Sequence, residues 1–207
     1  MRFWTTRPLQ MLFPSVVWRT DSSGVHLTFD DGPDPVSTPR VLEFLSKHSL
    51  KATFFLVGQN VNRYPDIPRQ IMLEGHGLGL HSYEHTRLAF RGRSMIQDQL
   101  GRSKAAIQQA TGHDVRLFRP PYGFFEPSLL KHVGQMGFVT VMWDVDPGDS
   151  LEDNPQLVVK RISSGVRPGS IILLHDNLYT RERVDAVLLG VLSTLNDRSL
   201  KVAPLNV

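Results

Sequence analysis

The sequence predicts an α/β fold built on a mostly parallel sheet. Short apolar runs rich in β-branched and aromatic residues alternate with helix-like segments from Val25 onward, and turn or cap residues punctuate the joins. Nearly every unusual polar residue falls at the carboxyl end of one of these runs. Strand–helix alternation calls for crossover connections, so the strands should run parallel with helices outside, in a sheet that is either open or closed into a barrel. Both architectures gather functional residues at the carboxyl ends of their strands.

The elements follow in order. Val25–Phe29 is the first strand and Thr38–His48 the first helix. Thr53–Val57 leads into a helix over Asn60–Glu74, which Gly75 stops. Gly77–Leu80 is followed, after a polar loop, by a helix over Ser94–Ala110, with Ser94 at its start and Gly112 just past its end. Arg116–Phe118 precedes Glu126–Met136, closed by Gly137. Phe138–Trp143 precedes Asn154–Val166, where Asn154 is placed to cap and Pro155 occupies the first helical position. Ser170–Leu174 leads to Arg183–Leu195, and Lys201–Ala203 is a weaker last strand. No repeat or linker divides the chain, so residues 1–207 are expected to form one domain, with residues 1–23 as an N-terminal lead-in.

Composition narrows the function. Apolar residues make up 41% and charged residues 21%, enough for a packed core and too little charge for a disordered chain. With 23 basic and 20 acidic residues the net charge is +3, far from the basic stripe of a nucleic-acid binder, so no nucleic-acid partner is expected. Cysteine is absent, which excludes thiolate nucleophiles, disulfides and Cys-ligated metals; a metal must sit on His and carboxylates. No run reaches the ~20 apolar residues of a spanning helix, so no stable membrane insertion is expected. The run MLFPSVVW, Met11–Trp18, follows Arg2 and Arg7 but is broken by Pro14 and lacks an A-x-A-like site, so it is a poor signal peptide; a lead-in packed on the domain is expected, with a membrane-proximal anchor as the alternative. The compartment stays open at this point: cytoplasmic as the sequence stands, cell envelope if the chain is exported.

Five segments carry candidate chemistry. TFDDGPDP, Thr28–Pro35, sets Asp30 and Asp31 side by side after an apolar strand, an arrangement that calls for a cation or is else a polar turn. HSYEH, His81–His85, spaces two histidines by four, which on a helical turn would let both reach one metal ion; alternatively it is a solvated loop. One carboxylate of the Asp30–Asp31 pair would complete a His-His-Asp set with positions left for water. RPPYG, Arg119–Gly123, offers a permanent cation for a carboxylate and a turn that presents Tyr122 and backbone N–H groups, or is simply a proline turn. WDVDPGD, Trp143–Asp149, ends a strand in three carboxylates, and LLHD, Leu173–Asp176, ends another in a histidine able to hold a proton near neutral pH.

Together, and in this order, the five segments resemble the polysaccharide deacetylase family, the NodB-homology domain of carbohydrate esterase family four. The resemblance runs from about Val25 to the last strand. It implies a distorted (β/α) barrel of about seven parallel strands. It also implies metal-dependent removal of N-acetyl groups from N-acetylglucosamine polymers such as chitin or peptidoglycan. Matched position by position, Asp31, His81 and His85 correspond to the metal ligands, Asp30 to the catalytic base, Arg119 to the residue orienting that base and His175 to the general acid. Asp149 corresponds to the carboxylate tuning His175, with Asp146 a rival, and the backbone N–H of Tyr122 to the oxyanion donor. Leu173 corresponds to the apolar wall beside the acetyl group, with Trp143 and Tyr122 as further substrate-binding positions. The implied cofactor is one divalent ion: zinc suits these ligands, as cobalt, nickel or manganese would. The implied partner is an N-acetylated carbohydrate, and the chain is expected to be a monomer. One departure stands out: where the family usually has Trp after the Asp149 position, this chain has Ser150; Tyr83 or Phe124 could fill that space. The alternatives are an amidohydrolase of the same fold acting on a small non-carbohydrate amide, and a non-catalytic carbohydrate-binding relative.

Overall fold

A computed structural model describes residues 7–206. Residues 1–6 of the expected lead-in, Arg2 among them, and Val207 lie outside the described residues. The elements are α1 (Arg7–Leu12), β1 (His26–Asp30), α2 (Ser37–Lys47), β2 (Thr53–Leu56), α3 (Gly58–Arg63), α4 (Asp66–Leu73), β3 (Gly77–Leu80), α5 (Arg93–Thr111), β4 (Leu117–Phe118), α6 (Pro127–Gln135), β5 (Val139–Thr140), α7 (Pro155–Gly165), β6 (Ile171–His175) and α8 (Val184–Asp197). All pairings in the sheet are parallel, in the order β5-β4-β3-β2-β1-β6. The chain after β5 returns to the far edge: Val145 bridges Ile172 in parallel, and Leu173 N–H donates to the Val145 carbonyl at 2.9 Å. The sheet therefore curls into a distorted (β/α) barrel. The seventh parallel element is a single bridge, Val202 to Val25.

Strand residues are buried on both faces, which explains the unbroken apolar runs. Leu27, Phe29, Phe54, Leu56, Leu80, Ile172 and Leu174 join the helices in one large core outside the sheet. The alternate residues Phe55, Leu117, Val141 and Ile171 form a smaller cluster of their own inside the barrel, with Leu205. Gly79 faces this interior; a Cβ there would stand 2.6 Å from the Phe55 ring. The lead-in crosses the gap between β5 and β6, with Val17 bridging Val141 and Arg19 bridging Ser170. Arg19 also pairs with the buried Asp144 at 3.1 Å.

Two expectations are corrected. The helix expected over Asn60–Glu74 is two helices, α3 and α4, because Pro65 disfavours the helical region for Tyr64, which instead has φ −132° and ψ 61°. The His81–His85 segment is a loop rather than a helical turn. Ser82 and His85 take left-handed backbone angles (φ 61° and 53°), which folds the segment back on itself. The loop is anchored by Gly58 and Gln59 N–H groups donating to the Ser82 and Tyr83 carbonyls, and by the buried Gln99 of α5 accepting from Tyr83 and Glu84 N–H.

Candidate active site

Every candidate residue except Leu173 comes from the carboxyl end of a strand or the loop that follows it. Asp30 ends β1 and is 2% exposed. The register pairs Thr28 with Leu173 and Asp30 with His175, so these four side chains share the inner face of the sheet.

Asp30 is held by Arg119, whose Nη1 donates to Asp30 Oδ1 and to Thr28 Oγ1, each at 2.7 Å. The same guanidinium donates to the carbonyls of Val141 and Met142 and lies 4.0 Å over the Phe55 ring, with Trp143 beyond at 5.5 Å. Burial pulls the Arg119 pKa down and the Asp30 charge opposes it. Carbonyls, a carboxylate and ring faces surround a fully buried cation, so it cannot swing away, and neither can Asp30. The requirement for Gly79 follows: only without a Cβ there can the Phe55 ring lie beneath Arg119.

Asp31, His81 and His85 converge on one point. His85 Nε2 lies 3.0 Å and His81 Nε2 3.5 Å from Asp31 Oδ1, and one ligand atom from each residue falls within 4.8 Å of the others. His81 Nδ1 donates to the Arg119 carbonyl at 2.8 Å, which leaves the Nε2 lone pair facing Asp31. Two imidazoles and one carboxylate are the donor set of an open catalytic metal site, so the residues fit a divalent ion. Burial raises the Asp31 pKa, but hydrogen bonds and charge from the two histidines outweigh it and hold the carboxyl below the usual range.

Opposite, His175 Nδ1 lies 2.8 Å from Asp149 Oδ1, and His175 N–H donates to Asp149 Oδ2 at 2.8 Å. Burial lowers the imidazole pKa, but the Asp149 charge and hydrogen bond, with Asp31 and Asp30 beyond, push it up to about 10. Asp146 makes no such contact: its Oδ1 accepts from Gly148 N–H within its own turn. Asp144 is tied to Arg19, Arg167 and Ser170. Of the three carboxylates after β5, Asp149 is thus the one joined to His175.

The RPPYG turn places Tyr122 in the left-handed region (φ 61°), with its ring 4.6 Å from the His85 ring. Gly123 follows at φ 66°, where a Cβ would stand 2.7 Å from the Trp143 indole. Gly123→Ala is expected to cost about 1–3 kcal/mol through backbone strain and this clash, seen as a melting temperature several degrees lower in calorimetry. Leu173 is buried on the inner face and Ser150 half-buried after Asp149. Tyr83 is engaged on the far side of its loop, under Arg102 at 3.8 Å and with its hydroxyl accepting from Asn62. Phe124 is 47% exposed beneath Arg87.

Sequence reasoning missed the supporting residues. Asn177 donates to Asp31 Oδ2 at 2.7 Å, Asn60 donates to the Asp31 carbonyl at 3.0 Å, and Thr28 shares Arg119 with Asp30. Asn177 stands two residues after His175 in LLHDN, so its place at a strand end was the available signal.

Comparison with known proteins gives the chain's family and relatives. A family model described as polysaccharide deacetylase matches residues 19–141. A chitooligosaccharide deacetylase of Azorhizobium caulinodans is 40% identical over 157 residues, 75% of this chain and 75% of that protein. A solved peptidoglycan N-acetylglucosamine deacetylase, in complex with 4-naphthalen-1-yl-N-oxidanyl-benzamide, superposes with a TM-score of 0.89 at 30% identity, covering 96% of this chain and 94% of that one. A pseudoenzyme of carbohydrate esterase family 4 from Bacillus anthracis superposes at 0.84 with 31% identity, covering 93% of this chain and 68% of that one.

Proposed function

The chain belongs to the polysaccharide deacetylase family, and from that premise we propose that it removes N-acetyl groups from N-acetylglucosamine-containing oligo- or polysaccharides by metal-dependent hydrolysis, with residues 1–207 acting as one catalytic domain. One observation carries the reading. A buried carboxylate locked by arginine and a histidine tied to its own carboxylate flank a His-His-Asp cluster at one end of the sheet. A pseudoenzyme needs none of these arrangements to be intact, and all are present.

A divalent ion held by Asp31, His81 and His85 would lower the pKa of a bound water and polarise the acetyl carbonyl. Asp30, fixed by Arg119 and Thr28, accepts the proton of the attacking water. The Tyr122 N–H is the donor for the oxyanion that develops on the acetyl carbonyl oxygen as the tetrahedral intermediate forms. His175, protonated at neutral pH through Asp149, delivers a proton to the departing glucosamine nitrogen. Leu173 and Trp143 form the apolar wall against the acetyl methyl group. Acetate and the free amine leave without a covalent enzyme intermediate.

Two tests address the supporting residues. Asn177→Ala is expected to weaken zinc binding by about 10–100-fold, the usual cost of losing a hydrogen bond to a metal ligand, as read by competition with a chromogenic chelator. Unchanged affinity would remove Asn177 from the site. Asp149 raises the His175 pKa, so acetate release should fall at alkaline pH as His175 loses its proton. Asp149→Asn removes the charge, and the alkaline limb should move from about 10 toward the ordinary histidine value of 6.5. A limb that stays in place would exclude His175 as the acid.

The proposal as a whole is tested by assaying acetate release from N-acetylated oligosaccharides against small non-carbohydrate amides. Release from the sugars alone supports it. Release from the amides alone overturns the carbohydrate reading.

A further inference from the structure

Arg87 lies two residues beyond His85 on the same loop, exposed, with its guanidinium 4.1 Å over the Phe124 ring and 5.8 Å from that of Tyr122. The Tyr122 ring in turn lies 4.6 Å from that of His85. The guanidinium is thereby held at the rim of the Asp31–His81–His85 cluster by two aromatic faces. Several surface arginines are neutralised by carboxylates: Arg102 by Glu84 and Asp98, Arg161 by Glu152, Arg181 by Asp34 and Arg183 by Asp153. Among the described residues Arg87 has no carboxylate partner, nor do Arg91 and Arg93, which follow it on the same exposed stretch.

A guanidinium lying over a ring leaves N–H groups free for a ligand, and its fork matches a carboxylate with two parallel hydrogen bonds. Ring stacking removes much of the rotamer freedom that an exposed arginine otherwise loses on binding, so this cation is prepared for an anion as a free surface side chain is not. A neutral glycan offers it hydroxyl and amide oxygens but no charge, whereas a carboxylate offers a charge-assisted, bidentate partner. We propose that Arg87, stacked on Phe124 and Tyr122, is an anion-binding subsite that selects N-acetylated glycans carrying carboxylate groups over neutral ones, the carboxylate sitting on a sugar next to the one that presents its acetyl group to the metal cluster. The inference rests on the deacetylase reading for the identity of the substrate, and on the Arg87 stack for its charge.

Equilibrium binding to the zinc-loaded protein tests it, measured in the Asp30→Asn background so that substrate is not consumed. The probes are two tetrasaccharides of equal length, one of N-acetylglucosamine alone and one in which N-acetylglucosamine alternates with N-acetylmuramic acid. The expected result is about tenfold tighter binding of the carboxylate-bearing chain at low salt, a difference that shrinks as ionic strength rises. Arg87→Gln should bring the ratio of the two affinities near one, and Arg87→Lys should restore part of it, keeping the charge but not the fork. Equal affinities in the unsubstituted Arg87 protein, or a ratio that Arg87→Gln leaves unchanged, would overturn the subsite. If the affinity pattern appears but the native protein releases no acetate from either chain, the subsite stands and the deacetylase reading falls.

Discussion

Replacing Asp30 by Asn is expected to lower acetate release by about 10²–10⁴-fold, the contribution typical of a positioned general base, while the metal stays bound. The amide keeps the shape of the carboxylate, and its oxygen can still accept from Arg119, so the geometry around Thr28 and Phe55 should persist. What it loses is the capacity to take a proton. The substitution also leaves Arg119 buried without its counter-charge, and breaking a buried pair costs about 3–5 kcal/mol. A lower melting temperature is therefore expected beside the loss of activity, and circular dichroism with metal analysis must show a folded, loaded variant. If Asp30→Asn strips the metal instead, the roles of Asp30 and Asp31 are exchanged.

His85→Ala is expected to abolish activity by a different route. It removes one of three ligands, so zinc affinity should fall by more than the roughly 10–100-fold that losing a supporting contact such as Asn177 costs. Asp31 would also lose a hydrogen bond that holds its carboxyl ionised, so its pKa should rise relative to the intact site. Dialysed protein should come out of metal analysis nearly empty. Retained stoichiometric metal and full activity in this variant would remove His85 from the site.

The parallel sheet was legible because each strand is buried on both faces and so reads as an apolar run, and because glycine and proline mark most joins. The strand-end rule then located the polar residues. Spacing alone misled at two places. His81 and His85 are four apart, yet they meet through left-handed turns at Ser82 and His85 rather than on a helix, which a residue pattern does not encode. The break at Tyr64–Pro65 was encoded, but the apolar period running across it suggested one helix. The choice between Asp146 and Asp149 was not legible: both stand after the same strand, and only the fold of the turn puts one against His175. Asn177, Gln99 and Thr28 were hidden for another reason. Their roles lie in hydrogen bonds to partners 146, 15 or 16, and 91 residues away, and nothing in their local sequence announces such partners.

The most direct measurement is acetate release from an N-acetylglucosamine oligosaccharide by protein stripped with a chelator and then titrated with zinc. The expected result is no release from the stripped protein, and activity that rises with bound zinc to a plateau at about one equivalent, as one Asp31–His81–His85 cluster requires. Full activity in the stripped protein, or none at any zinc loading in a folded sample, would contradict a metal-dependent deacetylase centred on those three residues.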